Sequence, residues 1–175
     1  MTAPSLCARL GYALPRPNPL QRALWHVSGS GPGAWILARI MPGADRFLQR
    51  ISRGRVSVPG LVAGLPPLMV TMTGARTGAR RTVPLIGVPL DGDIYLIGTR
   101  FGQRGTPAWY FNLNKTPAVE LEFRGRRASA VAAEVAGGEW QRAWDAGVAS
   151  YSGYAAYARR IKDREVRIMR LSTAE

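Results

Sequence analysis

Histidine and cysteine are almost absent from this 175-residue chain, which has one of each, His26 and Cys7. One thiol and one imidazole cannot form a disulfide framework, a cysteine–histidine zinc cluster or a Cys–His relay within a single chain. A reducing, cytoplasmic setting is expected. Bilayer-spanning apolar runs are also lacking: the best ones are cut by Arg39, Pro42 or the Pro66-Pro67 pair, and the N-terminal MTAPSLCARLGYALPRP has no sustained apolar core. Neither export nor a membrane span is expected. Acidic residues are scarce, 11 against 24 basic ones, leaving a net charge of +13 carried almost wholly by arginine. Such a surface attracts nucleic acid, acidic lipid headgroups or a polyanionic small molecule, and charge alone does not choose among them.

What is present is enough apolar sequence, 46%, for one domain with a real core over residues 1–175. Residues 1–58 read as an N-terminal helical segment and 59–175 as a β-barrel core. Leu20 to Val27 and Trp35 to Ile51 carry apolar residues at helical spacings, with Pro42-Gly43 interrupting the second segment and Asp45 placed to cap its continuation. Pro67 to Thr73, Thr82 to Leu90 and Ile94 to Thr99 read as three strands, the last two joined by an Asp91-Gly92-Asp93 hairpin turn. Thr106-Pro107 reads as a helix cap and first helical position, opening a short helix that ends near Asn114. Val119 to Phe123 and Ala128 to Val135 flank the hairpin turn Arg124-Gly125-Arg126. Glu139 to Ala158 reads as a helix weakened at Gly147 and Gly153, and Val166 to Leu171 as a closing strand. Strands joined mostly by hairpins predict an antiparallel α+β domain whose sheet curls or closes to hide its edges. No strand runs into G-x-G-x-x-G, so nicotinamide dinucleotide binding of the doubly wound type is not expected.

Two turns carry the chemistry. Thr73-Gly74-Ala75-Arg76-Thr77-Gly78-Ala79-Arg80-Arg81 combines glycines, which let backbone NH groups converge on an anion, with fork-shaped arginine donors matched to phosphate or carboxylate. An exposed, soluble hairpin turn would look the same. Thr99-Arg100-Phe101-Gly102-Gln103-Arg104-Gly105 repeats that combination and leads directly into a helix, whose N-terminal NH groups favour an anion. At neighbouring strand ends the two turns would make one site. Trp109, Tyr110 and Phe111 diverge around the following helix, so some must be core, whereas the Asn112 amide is expected to bond backbone or cofactor.

The ordered block T-x-T-G-x-R-T-G-x-x-R-x-x-P-L from Thr71 to Leu85, then D-G-D, then Thr99-Arg100, then P-x-W-Y-x-N-L from Pro107 to Leu113, resembles the deazaflavin-dependent nitroreductase family. The resemblance spans roughly Pro67 to the C-terminus. It implies a split β-barrel, with N-terminal helices and a late helix over the cofactor site, and use of coenzyme F-420, an 8-hydroxy-5-deazaflavin with an anionic phosphate and oligoglutamate tail. It implies that Arg76 and Arg81 grip that tail, that Arg100 adds a contact, and that Gly102 with Gln103 forms the turn approaching the phosphate. Val83, Pro84, Gly98, Thr99, Ala108, Trp109 and Asn112 would line the cofactor groove. Tyr151, Tyr154 and Tyr157, spaced along one helix face, would with Ile86 meet the substrate. A proton would come from a tyrosine, Thr99 or solvent, with Tyr154 the first candidate. Ile86 stands where a nitroimidazole-activating relative has an aromatic hydroxyl, and Thr99 where it has a serine.

The implied activity is hydride transfer from reduced F-420 to a quinone, enone or nitro compound. An FMN-dependent oxidoreductase and a non-catalytic deazaflavin carrier share most of these residues and stay open. No nucleic-acid-binding module motif is present. Trp25, Trp35, Ile36, Ile40, Phe47, Leu48 and Ile51 alternate with Arg22, Arg39, Arg46, Arg50 and Arg53, a pattern for a helix packed over the barrel mouth or one resting peripherally on an anionic membrane. The partner is a small-molecule acceptor, and the chain is expected as a monomer or homodimer.

Overall fold

The β-favouring run LMVTMT makes Leu68–Thr73 a strand, β1, which buries Leu68, Val70 and Met72 on one face and leaves Met69, Thr71 and Thr73 half-buried on the other. In the computed structural model, which describes residues 4–15 and 65–174, β1 is one of seven strands in a single antiparallel sheet. The others are β2 (Arg80–Leu85), β3 (Gly87–Leu90), β4 (Asp93–Ile97), β5 (Ala118–Phe123), β6 (Arg126–Glu134) and β7 (Ile168–Thr173). Among the described residues four α-helices accompany them: α1 (Leu6–Leu10), α2 (Ala108–Lys115), α3 (Gly137–Ser150) and α4 (Gly153–Arg160). The predicted helices Leu20 to Val27 and Trp35 to Ile51, and with them the N-terminal amphipathic pattern, lie outside the described residues.

The strand order β2-β1-β5-β6-β7-β4-β3 puts β2 and β3 at opposite edges, yet only Ile86 separates them in sequence. The sheet therefore has to curl until its edges meet, which gives the half-barrel that the alternation predicts. The expected single strand Thr82 to Leu90 is in fact two. Its first half pairs with β1 and its second with β4, and the ladder breaks where the chain passes from one partner to the other. At that passage the Tyr12 hydroxyl accepts from the Gly87 NH at 3.1 Å and donates to the Gly87 carbonyl at 3.0 Å. Tyr12 follows α1, a helix that the sequence reading missed because five residues carry too little periodicity.

Two further boundaries are corrected. The expected helix Glu139 to Ala158 is α3 followed by α4, because Tyr151 takes an extended backbone (φ −153°) and turns the chain. The short helix starts one residue later than expected: Pro107 is its cap residue, and no side chain, Thr106 included, caps it. The core forms two clusters. One joins α1, the inner face of β1, β5 and β6, and Leu113 of α2; the other joins Val88, Tyr95, Ile97 and Ile168 to Tyr151, Tyr154 and Tyr157.

Candidate active site

Strand register places the ends of β1 and β4 on one end of the sheet. Thr71 lies opposite Glu120 and Ala118 opposite Val131, so β1 ends where β5 begins and where β6 is nearing its own end. Glu134 lies opposite Met169 and Ile97 opposite Ile168, which brings the end of β4 to that same side. The two arginine turns thus share one end of the barrel. They do not follow neighbouring strands as expected, since β5, β6 and β7 stand between β1 and β4. Helix α2 joins them instead. It leaves the second turn at Ala108 and about 12 Å later reaches the first. There the Asn112 Oδ1 accepts from the Ala75 NH at 2.8 Å, and Lys115 Nζ donates to the Ala75 carbonyl at 2.8 Å.

Backbone NH groups of the first turn are spoken for. Gly74 donates to the Ala79 carbonyl, Gly78 to the Gly74 carbonyl and Ala79 to Thr77 Oγ1, besides Ala75 to Asn112. The expected backbone nest is therefore closed at these four positions, and an anion there meets side chains. Arg81 runs across Gly74, its Nε 3.0 Å from where a Cβ would stand. Arg76 and Arg81 are exposed, and neither has a carboxylate partner among the described residues; Arg80 between them is paired with Glu120 at 2.7 Å. Val83 and Pro84 follow on β2, half-buried and opposite Val70 and Met69.

The second turn is a single 3-10 turn, Arg100–Gly102, closed by the Gly102 NH to Thr99 carbonyl bond at 2.9 Å. Arg100 has φ +47°, a left-handed backbone costly for any residue with a side chain, and its Nη1 donates to the Arg104 carbonyl. Gly102 packs so closely on α4 that a Cβ would lie 3.1–3.2 Å from Arg160 and from the Tyr157 carbonyl. Thr99 is buried, its hydroxyl does not cap the turn, and Gln103 and Arg104 are exposed beyond it. Gly98 is enclosed by Pro107, Trp109 and the Arg167 carbonyl. Ala108 is exposed, and Trp109 is half-buried against the first core cluster.

Ile86 packs against the same core cluster that holds Tyr151, Tyr154 and Tyr157. The three phenols do not form one helical stripe as expected, because Tyr151 sits in the break between α3 and α4. There its hydroxyl meets that of Tyr157 at 3.0 Å, and its ring lies edge-on to Tyr154. The Tyr154 hydroxyl makes no hydrogen bond among the described residues. Burial, and then the neighbouring Tyr12 and Tyr151, hold its ionisation well above the ordinary phenol range, so at neutral pH it is a donor. No group of three or more metal-ligating side chains occurs among the described residues, and no helix there is long and apolar enough to cross a membrane.

The sequence profile of the F-420H(2)-dependent quinone reductases matches residues 45–172. The chain belongs to that family. A putative F-420H(2)-dependent quinone reductase of Mycobacterium bovis and an F-420H(2)-dependent quinone reductase of Mycobacterium tuberculosis are each 38% identical to it over 76 residues, 42% of this chain and 50% of theirs. The match thus spans half the length of these relatives. A solved F-420-H2-dependent reductase superposes with a TM-score of 0.56 at 30% identity, covering 61% of this chain and 93% of the other. A structure described as a domain-swapped dimer gives 0.56 at 26% identity, covering 81% and 99%. The donor set fits an anionic deazaflavin: Arg76, Arg81, Arg100 and Arg104 all stand at one barrel end without a carboxylate partner among the described residues. Tyr12 and Arg164 are neighbours of this site that sequence reasoning missed. Tyr12 bonds Pro66 and Gly87, and Arg164 bonds Gly98 and Thr99 besides the adjacent Glu165; the bonds to the site span at least 54 residues, which no local pattern signals.

Proposed function

We propose that this chain reduces quinones with F-420H2, and that the four uncompensated arginines at the two ends of α2 hold the cofactor's anionic tail. Arg76 and Arg81 bind phosphate and glutamate carboxylates, and Arg100 adds a charge at the second turn. Val83, Pro84, Gly98, Gly102, Gln103, Ala108 and Trp109 line the groove, while Asn112 fixes the first turn through Ala75. When bound, the deazaflavin supplies a hydride. Tyr154 donates a proton or hydrogen bond to the oxygen of the acceptor, Thr99 is the second candidate donor, and Ile86, Tyr151 and Tyr157 shape the acceptor pocket.

The reading rests on one observation, the gathering of those arginines at one end of the barrel. FMN carries a phosphate but no polyglutamate tail, and so would leave most of them unused. Equilibrium dialysis of the purified protein against F-420 and against FMN, with menadione reduction followed in parallel, tests it. Tighter binding of F-420, an affinity that falls as salt rises, and turnover of F-420H2 with the quinone are expected. Equal or tighter FMN binding overturns the cofactor assignment, and F-420 binding without turnover leaves a carrier. Peripheral contact with anionic membrane is proposed for the amphipathic N-terminal sequence. Equal liposome flotation by the full chain and by one starting at Pro59 would remove it.

A further inference from the structure

Beyond Ile97 the sheet no longer supplies hydrogen-bond partners to β4, so the next carbonyls must find donors elsewhere. Those of Gly98 and Thr99 find the same side chain. Arg164 places Nη1 2.9 Å from the Gly98 oxygen and Nη2 3.1 Å from the Thr99 oxygen. The rigid fork of a guanidinium fixes two acceptors at once. The segment carrying Arg164 touches the same spot again, since the Gly98 NH donates to the Arg167 carbonyl at 2.8 Å and a Cβ on Gly98 would lie 2.9 Å from that oxygen.

The Thr99 carbonyl held by Arg164 is also the one that closes the 3-10 turn by accepting from Gly102. The next residue is Arg100, whose left-handed backbone persists only where the surroundings over-determine it. Arg164 leaves its Nε buried without a partner, and its Nη1 also donates to the adjacent Glu165 carbonyl at 3.3 Å, so the two shorter bonds to Gly98 and Thr99 are what tie its guanidinium to the turn. Burial pulls its ionisation below the ordinary guanidinium value, Asp163 offsets part of that and the nearby charge of Arg100 adds to it. Two like charges thus repel each other, an arrangement that an anion bound at Arg100 relieves.

We propose that Arg164 is the positioning residue of the second arginine turn: by gripping the Gly98 and Thr99 carbonyls it holds Arg100 ready for a phosphate or carboxylate of the bound cofactor. The ligand side of this inference rests on the F-420 reading; the positioning side stands on the apo protein. Arg164 touches no ligand itself and acts through Arg100. Hydrogen–deuterium exchange on the full-length protein without ligand, comparing wild type with Arg164→Gln and Arg164→Lys, tests the first half. The Gly102 and Gln103 amides should exchange at least tenfold faster in Arg164→Gln and less so in Arg164→Lys, while Gly74 and Gly78 in the first turn keep their rates. Equal acceleration in both turns, or none in the second, overturns the proposal. If the glutamine variant does not fold, the lysine variant carries the same comparison.

Dialysis against F-420 tests the second half. Arg164→Gln should raise the Kd at least tenfold. Adding Arg100→Gln to it should then cost less than threefold more, whereas adding Arg81→Gln should multiply in full, because only Arg100 depends on Arg164. Full multiplication by Arg100→Gln overturns the coupling. If the wild-type protein binds no F-420, the cofactor reading fails by itself and the amide exchange still decides the positioning role.

Discussion

Arg80 and Arg81 are adjacent in sequence and opposite in circumstance. Arg80 spends its charge on Glu120 across the sheet, an exposed pair worth about 0–1 kcal/mol to stability. Arg81 lies over Gly74 with no carboxylate partner among the described residues. Arg81→Ala should therefore weaken F-420 binding by about 1.5–3 kcal/mol, the range for a hydrogen bond to a charged group, while Arg80→Ala leaves it nearly unchanged. Isothermal titration of both variants checks the contrast, and equal losses would show that net charge alone sets affinity. Tyr154 admits a similar separation of roles. Its hydroxyl makes no hydrogen bond among the described residues, so Tyr154→Phe should cost little stability; if it serves the acceptor, quinone turnover falls about a hundredfold with F-420 affinity within about threefold. Wild-type turnover in Tyr154→Phe would make the phenol a core residue only.

Between residues and the barrel, the elements that matter are helices placed by what they cannot contain. Helix α3 lies close to β4 because Gly147 has no side chain. A Cβ there would run into Cδ1 of Ile97 and come within 3.5 Å of Tyr154. Gly147→Ala should thus destabilise the fold by about 1–3 kcal/mol despite alanine's better helix propensity. Ile97→Val removes the colliding methyl and should recover much of that loss, a non-additivity that urea unfolding of the two single variants and the double would reveal. Helix α2 is short and binds at both ends, through Trp109 near Gly98 and through Asn112 and Lys115 at Ala75. Sequence reading placed that helix within one residue, yet it could not say that the helix bridges the two turns.

For the molecule as a whole, the phenols of Tyr12, Tyr95, Tyr154 and Tyr157 are buried and harder to ionise than in the unfolded chain. Tyr95 is pushed up to about 12, by burial first and then by its hydrogen bond to Glu139. Above about pH 10 the unfolded chain releases phenolic protons that the folded state keeps, so stability is full below that pH and falls as pH rises towards about 12, by roughly 1.4 kcal/mol per unit for each such group. Urea unfolding between about pH 9 and about pH 11 should show this loss, and Tyr95→Phe should make it shallower. A slope that Tyr95→Phe leaves untouched would assign the loss to other groups. The curled sheet itself depends on Ile86 being the sole link between two edge strands, which fixes where the barrel meets.

The sequence by itself determined the local pieces: the strand segments from their apolar alternation, the hairpins at Asp91-Gly92 and Arg124-Gly125, the short helix after Pro107, and the two arginine turns with their ordered motifs. These depend on neighbours a few residues apart, and local sequence records them. Tertiary structure alone decided that Thr82 to Leu90 divides between two partners at Ile86, that Tyr151 leaves the helix to bond Tyr157, and that the Ala75 amide of the first turn is taken by Asn112. It also decided that Arg164 reaches back 65 residues to the Thr99 carbonyl. Each of these depends on which distant backbone group or ring comes within hydrogen-bond or van der Waals reach once the sheet has curled, and no spacing along the chain encodes that distance.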